Sequence, residues 1–134
     1  ERLDKFGGKV KCFVADEDVV QYAKSTGITK TAAAMRKAIE FTSHIPHPTS
    51  QIIAVGNAPT ALMELTRMIK EGKARPALVI GVPVGFVDAE ESKEGLMGLD
   101  VPYISIKGRK GGSTVAVAIV NALLMMAEGR ELKS

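Results

Sequence analysis

The sequence is poor in the groups from which metal sites and nucleophile triads are built. It has one cysteine, Cys12, and two histidines, His44 and His47, in 134 residues. A lone cysteine excludes an internal disulfide and points to a reducing compartment, the cytoplasm. Cys12 sits in the alternating run Val10-Lys11-Cys12-Phe13-Val14, where it reads as a small buried hydrophobe rather than a reactive thiol. Both histidines fall in one loop, Ser43-His44-Ile45-Pro46-His47-Pro48-Thr49. A proline-rich loop does not fix two imidazoles on one face, and no further Cys or His completes a zinc site, so no metal is expected. No Ser-His-Asp set is expected either, so no catalytic residue is assigned from the pattern. Neither sign of charge dominates. The net charge is +3, too small to argue for nucleic acid and suited to an acidic small molecule. No signal peptide is visible and no apolar run approaches a membrane span. The longest such stretch, Val115 to Ala127, is broken by Asn121 and reads as a buried helix. Known nucleotide signatures are missing: there is no G-x-x-x-x-G-K-[ST], and no G-x-G-x-x-G follows a strand. The first residue is Glu1 rather than methionine, so the chain reads as a processed product, a cloned piece or the ordered part of something longer.

What is present is a pattern used three times: an apolar run, a glycine-bearing turn, a helix start. Ile52-Ile53-Ala54-Val55 leads into Gly56-Asn57-Ala58-Pro59-Thr60. Ala77-Leu78-Val79-Ile80 leads into Gly81-Val82-Pro83-Val84-Gly85-Phe86-Val87-Asp88. Tyr103-Ile104-Ser105-Ile106 leads into Gly108-Arg109-Lys110-Gly111-Gly112-Ser113-Thr114. Short Val- and Ile-rich runs alternating with helices predict buried, parallel strands. A further strand is expected over 9–14. Helices are expected over 17–25 (capped by Asp16 and ended by Gly27), 30–41 (capped by Thr29), 58–70 (capped by Asn57, with Pro59 in its first turn), 88–97 (opened by an Asp88 capping box) and 113–127. Leu62, Leu65, Thr66 and Ile69 form the core stripe of the helix expected over 58–70. Four strands and five helices in mostly alternating order predict one α/β domain over 1–134. It would have three layers, a mostly parallel sheet flanked by helices, Rossmann-like.

In such sheets ligands settle outside the carboxyl ends of the strands. All three turns should face that edge and offer backbone N–H groups at helix starts, which attract anions. Arg109 and Lys110 add charge, and Thr60, Ser113 and Thr114 add hydroxyls. The set suits a ligand with several negative groups. Phe86 has two open readings, contact with an apolar ring face or a staple into the core. The small residues Ala32, Ala33 and Ala34 serve either tight helix packing or a ligand-facing surface. Glu90, Glu91 and Lys93 read as helix-surface charges, with Lys93 reaching an anion as the lesser alternative.

Taken together these blocks resemble a known family. Thr29-Lys30-Thr31-Ala32-Ala33-Ala34-Met35, then Ala54-Val55-Gly56-Asn57-Ala58-Pro59-Thr60-Ala61-Leu62, then Gly81-Val82-Pro83-Val84-Gly85-Phe86-Val87 with Glu91-Ser92-Lys93, then Gly108-Arg109-Lys110-Gly111-Gly112-Ser113 are similar, in order, to precorrin-8X methylmutase. The resemblance implies an isomerase of cobalamin biosynthesis. It moves a methyl group from C-11 to C-12 of a tetrapyrrole, precorrin-8X or its cobalt form, to give hydrogenobyrinate or cobyrinate. It implies a homodimer with substrate near the subunit interface, no redox or nucleotide cofactor, and no nucleic acid or membrane partner. It also implies that the substrate is bound by Thr29, Thr31, Ala32 and Ala33, by Gly56, Asn57, Ala58 and Thr60, by Val84, Gly85 and Phe86, and by Arg109, Lys110, Gly111, Gly112 and Ser113. The macrocycle's carboxylates would suit the amide-rich turns with Arg109 and Lys110, and its broad face the small residues Ala32 and Ala33. The family's proposed general acid is a histidine in a segment ahead of the strand equivalent to 9–14, and neither His44 nor His47 matches it. The chain therefore reads as the C-terminal portion of a longer methylmutase. Two other readings stand beside it: a corrinoid-binding relative without isomerase activity, and a nucleotide- or phosphate-binding module.

Overall fold

A computed structural model of the chain describes residues 8–43, 51–85 and 87–129. Its elements run α1 (Glu17–Thr26), α2 (Lys30–Ser43), β1 (Ile52–Val55), α3 (Pro59–Lys70), β2 (Leu78–Gly81), α4 (Ala89–Met97), β3 (Tyr103–Ser105) and α5 (Ser113–Ala127). The three strands form a parallel sheet in the order β1-β2-β3. The register sets Ile53 beside Val79 and Val79 beside Tyr103. Parallel neighbours need a crossover, and α3 and α4 supply the two that occur here. The result is the expected α/β architecture.

The alternation of side chains along each strand divides the core between the two sheet faces. Ile53, Val55 and Val79 point to the side where α3 brings Leu62, Leu65 and Ile69, the apolar stripe expected from its spacing. Ile80 and Val82 point to the other side and meet Ala116 of α5. Helix α2 packs on α3, and α1 packs on α2 through Val19, Ala23 and Ala33. Gly27, with φ 78°, ends α1 as expected, its N–H donating to the Ala23 carbonyl.

Several local expectations are corrected. Residues 9–14 form no strand, and the sheet has three strands among the described residues. An alternating run becomes a strand only when a neighbour accepts its backbone groups. Here Phe13 packs instead on Phe41, and its carbonyl accepts the Asp16 N–H in a turn. Cys12 is consequently exposed rather than buried. Asp16 does not cap α1 with its side chain, because that carboxylate accepts a hydrogen bond from Lys37 at 2.7 Å. Helix α3 begins one residue later than expected, with Ala58 rather than Asn57 in the capping position. Asp88 precedes α4 but makes no side-chain cap, since it sits in the left-handed region at φ 64°. Helix α5 is not buried. Its Ala116 faces the sheet, while Val117 is 58% exposed and Met126 57% exposed. A helix apolar all round is buried only where elements lie on both sides, and the sheet covers one. His44, His47, Phe86 and the residues after Gly129 lie outside the described residues.

Candidate functional site

The three glycine-bearing turns meet at the carboxyl edge of the sheet, and each is locked to another. The first touches the third. A Cβ built on Gly56 would lie 2.8 Å from Ser113 Cα, so only glycine lets the end of β1 approach the start of α5 this closely. The second also touches the third. The Gly112 N–H donates to the Val82 carbonyl at 2.8 Å, and the Gly85 N–H donates to the Arg109 carbonyl at 3.3 Å. A Cβ on Gly111 would overlap the Val82 carbonyl oxygen, which makes glycine obligatory at this contact too. Below them, Ser105 Oγ donates to the Gly81 carbonyl at 2.6 Å and ties β3 to β2 at the same edge.

A cluster of hydroxyls extends the site to α2. Thr60, in the first turn of α3, lies 3.1 Å from the Thr29 hydroxyl and 2.9 Å from that of Thr31. Thr29 also accepts the Ala32 N–H at 3.1 Å, the N-cap expected of it. The starts of α2 and α3 are therefore joined through threonines, and the turn before α3 abuts the start of α5. Three helix N-termini converge, each carrying partial positive charge. Arg109 and Lys110 are exposed on the third turn. Ala33 is 2% exposed and packs against α1, which is the tight-packing role rather than an open surface; Ala32 is buried as well. Val84 is exposed beside Gly85.

Lys93 was expected on the helix surface, and the structure buries it. Its side chain is 1% exposed. The ammonium donates to the Gly108 carbonyl at 2.9 Å and to the Lys110 carbonyl. Burial pushes its pKa below the ordinary lysine value, and the nearby Glu90 carboxylate acts against that shift. A hollow of about 190 Å³ opens beside it, lined by Glu90, Glu94, Met97, Lys107 and Gly108.

A larger hollow lies elsewhere. A cleft of about 650 Å³ between α1, α2 and α3 is lined by Asp18, Tyr22, Arg36, Lys37, Arg67 and Lys73. Its charges are already matched within the protein: Arg36 to Glu64, Lys37 to Asp16 and Asp18, and Arg67 to Glu64 and Glu71. Mutually neutralised groups have little to offer an ionic ligand, so the sheet edge is the better site despite its openness. Among the described residues no group of three or more His, Cys, Asp or Glu side chains converges as a metal site would require.

The glycine-locked turns are the same blocks that carry the sequence resemblance, and wider comparison decides what they mean. A family model described as precorrin-8X methylmutase matches residues 1–126. The chain belongs to the precorrin-8X methylmutase family.

Among its methylmutase relatives, a cobalt-precorrin-8 methylmutase of Priestia megaterium is 52% identical over 96% of this chain and 54% of its own length. A precorrin-8X methylmutase of Pseudomonas aeruginosa is 43% identical over 86% of this chain and 53% of its own. A crystal structure of the precorrin-8X methylmutase from Thermus thermophilus superposes with a TM-score of 0.80. It is 42% identical, over 97% of this chain and 61% of that one. The chain thus spans about half the length of the curated methylmutases it matches. No helix among the described residues is long and apolar enough to cross a membrane.

Within this methylmutase fold, sequence reasoning missed the burial of Lys93, although a signal was present. Ala89, Ser92, Lys93 and Leu96 are the buried residues of α4, at i, i+3, i+4 and i+7. A lysine inside an otherwise small and apolar helical stripe is placed there by the period itself. The meeting of Thr29, Thr31 and Thr60 carried no such signal, since nothing local couples residues about thirty apart.

Proposed function

We propose that this chain supplies the substrate-binding face of a precorrin-8X methylmutase acting in the cytoplasm as a homodimer. The substrate is the tetrapyrrole precorrin-8X or its cobalt form. The reaction is migration of a ring methyl from C-11 to C-12, giving hydrogenobyrinate or cobyrinate. The observation that carries this reading is the locked junction of the three turns. It presents three helix starts, the Thr29–Thr31–Thr60 hydroxyls and the exposed Arg109 and Lys110 along one sheet edge. A macrocycle rimmed with carboxylates needs a row of anion-attracting groups rather than one pocket, and a fixed open edge provides it. The names borne by relatives at up to 52% identity support the same reading.

The residues of this chain have binding and orienting roles in the proposal. Thr60 and its partners hold α2 and α3 together beside the ligand, and the third turn receives carboxylates. Fixing the ring so that a methyl shift needs little further motion is a source of rate in its own right. No proton-transfer step is assigned to the described residues, which include no histidine.

The test is to express the protein from its full reading frame, titrate it with hydrogenobyrinate by absorbance and incubate it with precorrin-8X. A shifted corrinoid spectrum with conversion to product is expected, on a species of twice the chain mass by light scattering. Binding without conversion would favour a corrinoid-binding relative. Absence of both would overturn the reading.

A further inference from the structure

The mechanism above uses the exposed cations of the third turn and leaves the buried one unexplained. Lys93 reaches from α4 under residues 108–111 and ends between two backbone carbonyls, those of Gly108 and Lys110. Among the described residues it makes no ion pair within 4.0 Å. A buried cation without a carboxylate partner is costly, and its two hydrogen bonds only partly offset that cost. A methionine would fill the same stripe of α4 without the penalty, so stability alone does not account for lysine here.

The direction of the two carbonyls gives it a task. In a trans peptide the C=O of one residue and the N–H of the next point to opposite sides. No peptide bond among the described residues is cis. With the Gly108 and Lys110 carbonyls drawn to the ammonium, the N–H groups of Arg109 and Gly111 are turned away from α4. These two amides are thereby set on the side away from α4, while the Arg109 carbonyl turns to the Gly85 N–H. Hydrogen bonds to Val82 and Gly85 hold the turn from the side of the second turn, and the ammonium holds its other carbonyls from beneath, which restrains the freedom that its glycines allow. The buried charge also lies directly beneath the turn, in a setting where solvent screens it poorly.

We propose that Lys93 is a positioning residue for ligand carboxylates: it holds the Arg109 and Gly111 amides on the side away from α4 and places a positive charge without an ion-pair partner under the turn. This rests on the reading of the chain as a corrinoid-binding methylmutase and adds a residue that acts through the turn without touching the ligand.

The test compares wild type with Lys93→Met, and with Lys93→Gln should the first fail to fold. Two probes are titrated, cobyrinic acid with its free carboxylates and the same corrinoid fully amidated. Backbone amide resonances of Gly108, Gly111 and Gly112 are recorded alongside. The expected result is cobyrinic acid binding weakened about tenfold or more, in line with losing one poorly screened charge contact, and amidated corrinoid binding changed by less than about twofold. The turn's amide resonances shift in the variant. A merely structural lysine would weaken both probes alike, and that outcome overturns the proposal, as does unchanged cobyrinic acid binding. If wild type binds neither probe the corrinoid reading itself fails. The role of Lys93 is then judged by the amide resonances, and unshifted turn signals in the folded variant would refute it.

Discussion

Gly56 and Ser113 are neighbours although 57 positions separate them in the sequence, and a Cβ on the glycine would lie 2.8 Å from the serine Cα. That contact joins the first turn to the third. Replacing Gly56 with alanine forces backbone against backbone, which no rotamer change relieves. The expected cost is about 1–3 kcal/mol, the range for overpacking a tight site. Urea unfolding would measure it, and corrinoid affinity should fall with it because the start of α5 is displaced. A Gly56→Ala protein as stable as wild type would mean that the turns are not packed as described.

The threonine cluster makes a gentler prediction. Thr60→Val keeps the shape of the side chain and removes the hydroxyl that meets both Thr29 and Thr31. A loss of about 1 kcal/mol is expected, typical of a hydrogen bond that water can partly replace. Thr60→Ser should restore most of it. Equal stabilities for the valine and serine proteins would show that the hydroxyls do not join α2 to α3.

Leu62 tests the main core. It is fully buried beneath β1 and β2, in the cluster with Val55 and Val79. Leu62→Ala should cost about 2–5 kcal/mol, transfer plus cavity. Denaturant titration would show this as a lower midpoint with little change in slope. The substitution leaves every turn residue in place, so ligand affinity measured well below the transition should change little.

The pH dependence of stability should have two limbs with separable causes. Lys37 bridges Asp16 and Asp18 at 2.7 and 2.9 Å, and these hydrogen bonds raise its pKa above the usual 10.5. The hydrogen bond from Lys37 in turn lowers the Asp18 pKa below 3.8. The Asp18 contribution is complete above pH 3.8 and is lost as pH falls through the lower folded value. The Lys37 contribution is complete below pH 10.5 and is lost as pH rises through the higher folded value. Asp18 is exposed and Lys37 only half-buried, so salt should weaken both limbs. Asp18→Asn should flatten the decline of Tm on the acid side; an acid limb identical to that of wild type would refute the pairing.

Lys93 predicts the opposite sign on the alkaline side. Its folded pKa is lowered by burial, so between that value and 10.5 the unfolded chain binds more protons than the folded one. Its burden on the fold is complete below the folded value and is relieved as pH rises toward 10.5. Glu90, Glu94 and Lys107 line the same hollow, and the Glu90 charge reduces the shift without reversing it. The Tm of wild type relative to Lys93→Met should therefore rise as pH passes the lowered folded value and approaches 10.5. A difference that stays constant would mean that the ammonium is not desolvated.

Much of the fold was legible because its signals are local. The stripe Leu62, Leu65, Thr66 and Ile69 identifies α3 and its inner face, and all four are buried. Gly27 marks the end of α1, and Thr29 caps α2, through geometry confined to a few residues. The expected caps at Asp16, Asn57 and Asp88 failed for one reason. Residue type permits a cap, but competing partners and backbone angles decide it, as when Lys37 engages Asp16 from another helix.

The sequence by itself determined the order of strands and helices, the three glycine turns at their junctions and the family to which those turns belong. Each of these is written in periodicity or in motifs a few residues long. The tertiary structure alone decided that residues 9–14 pair with no strand, that α5 keeps an exposed apolar side, that three threonines from two helices meet, and that Lys93 runs beneath the third turn. These depend on which distant segments arrive beside one another. Packing and desolvation act only after the chain has closed, and no local pattern encodes them in full.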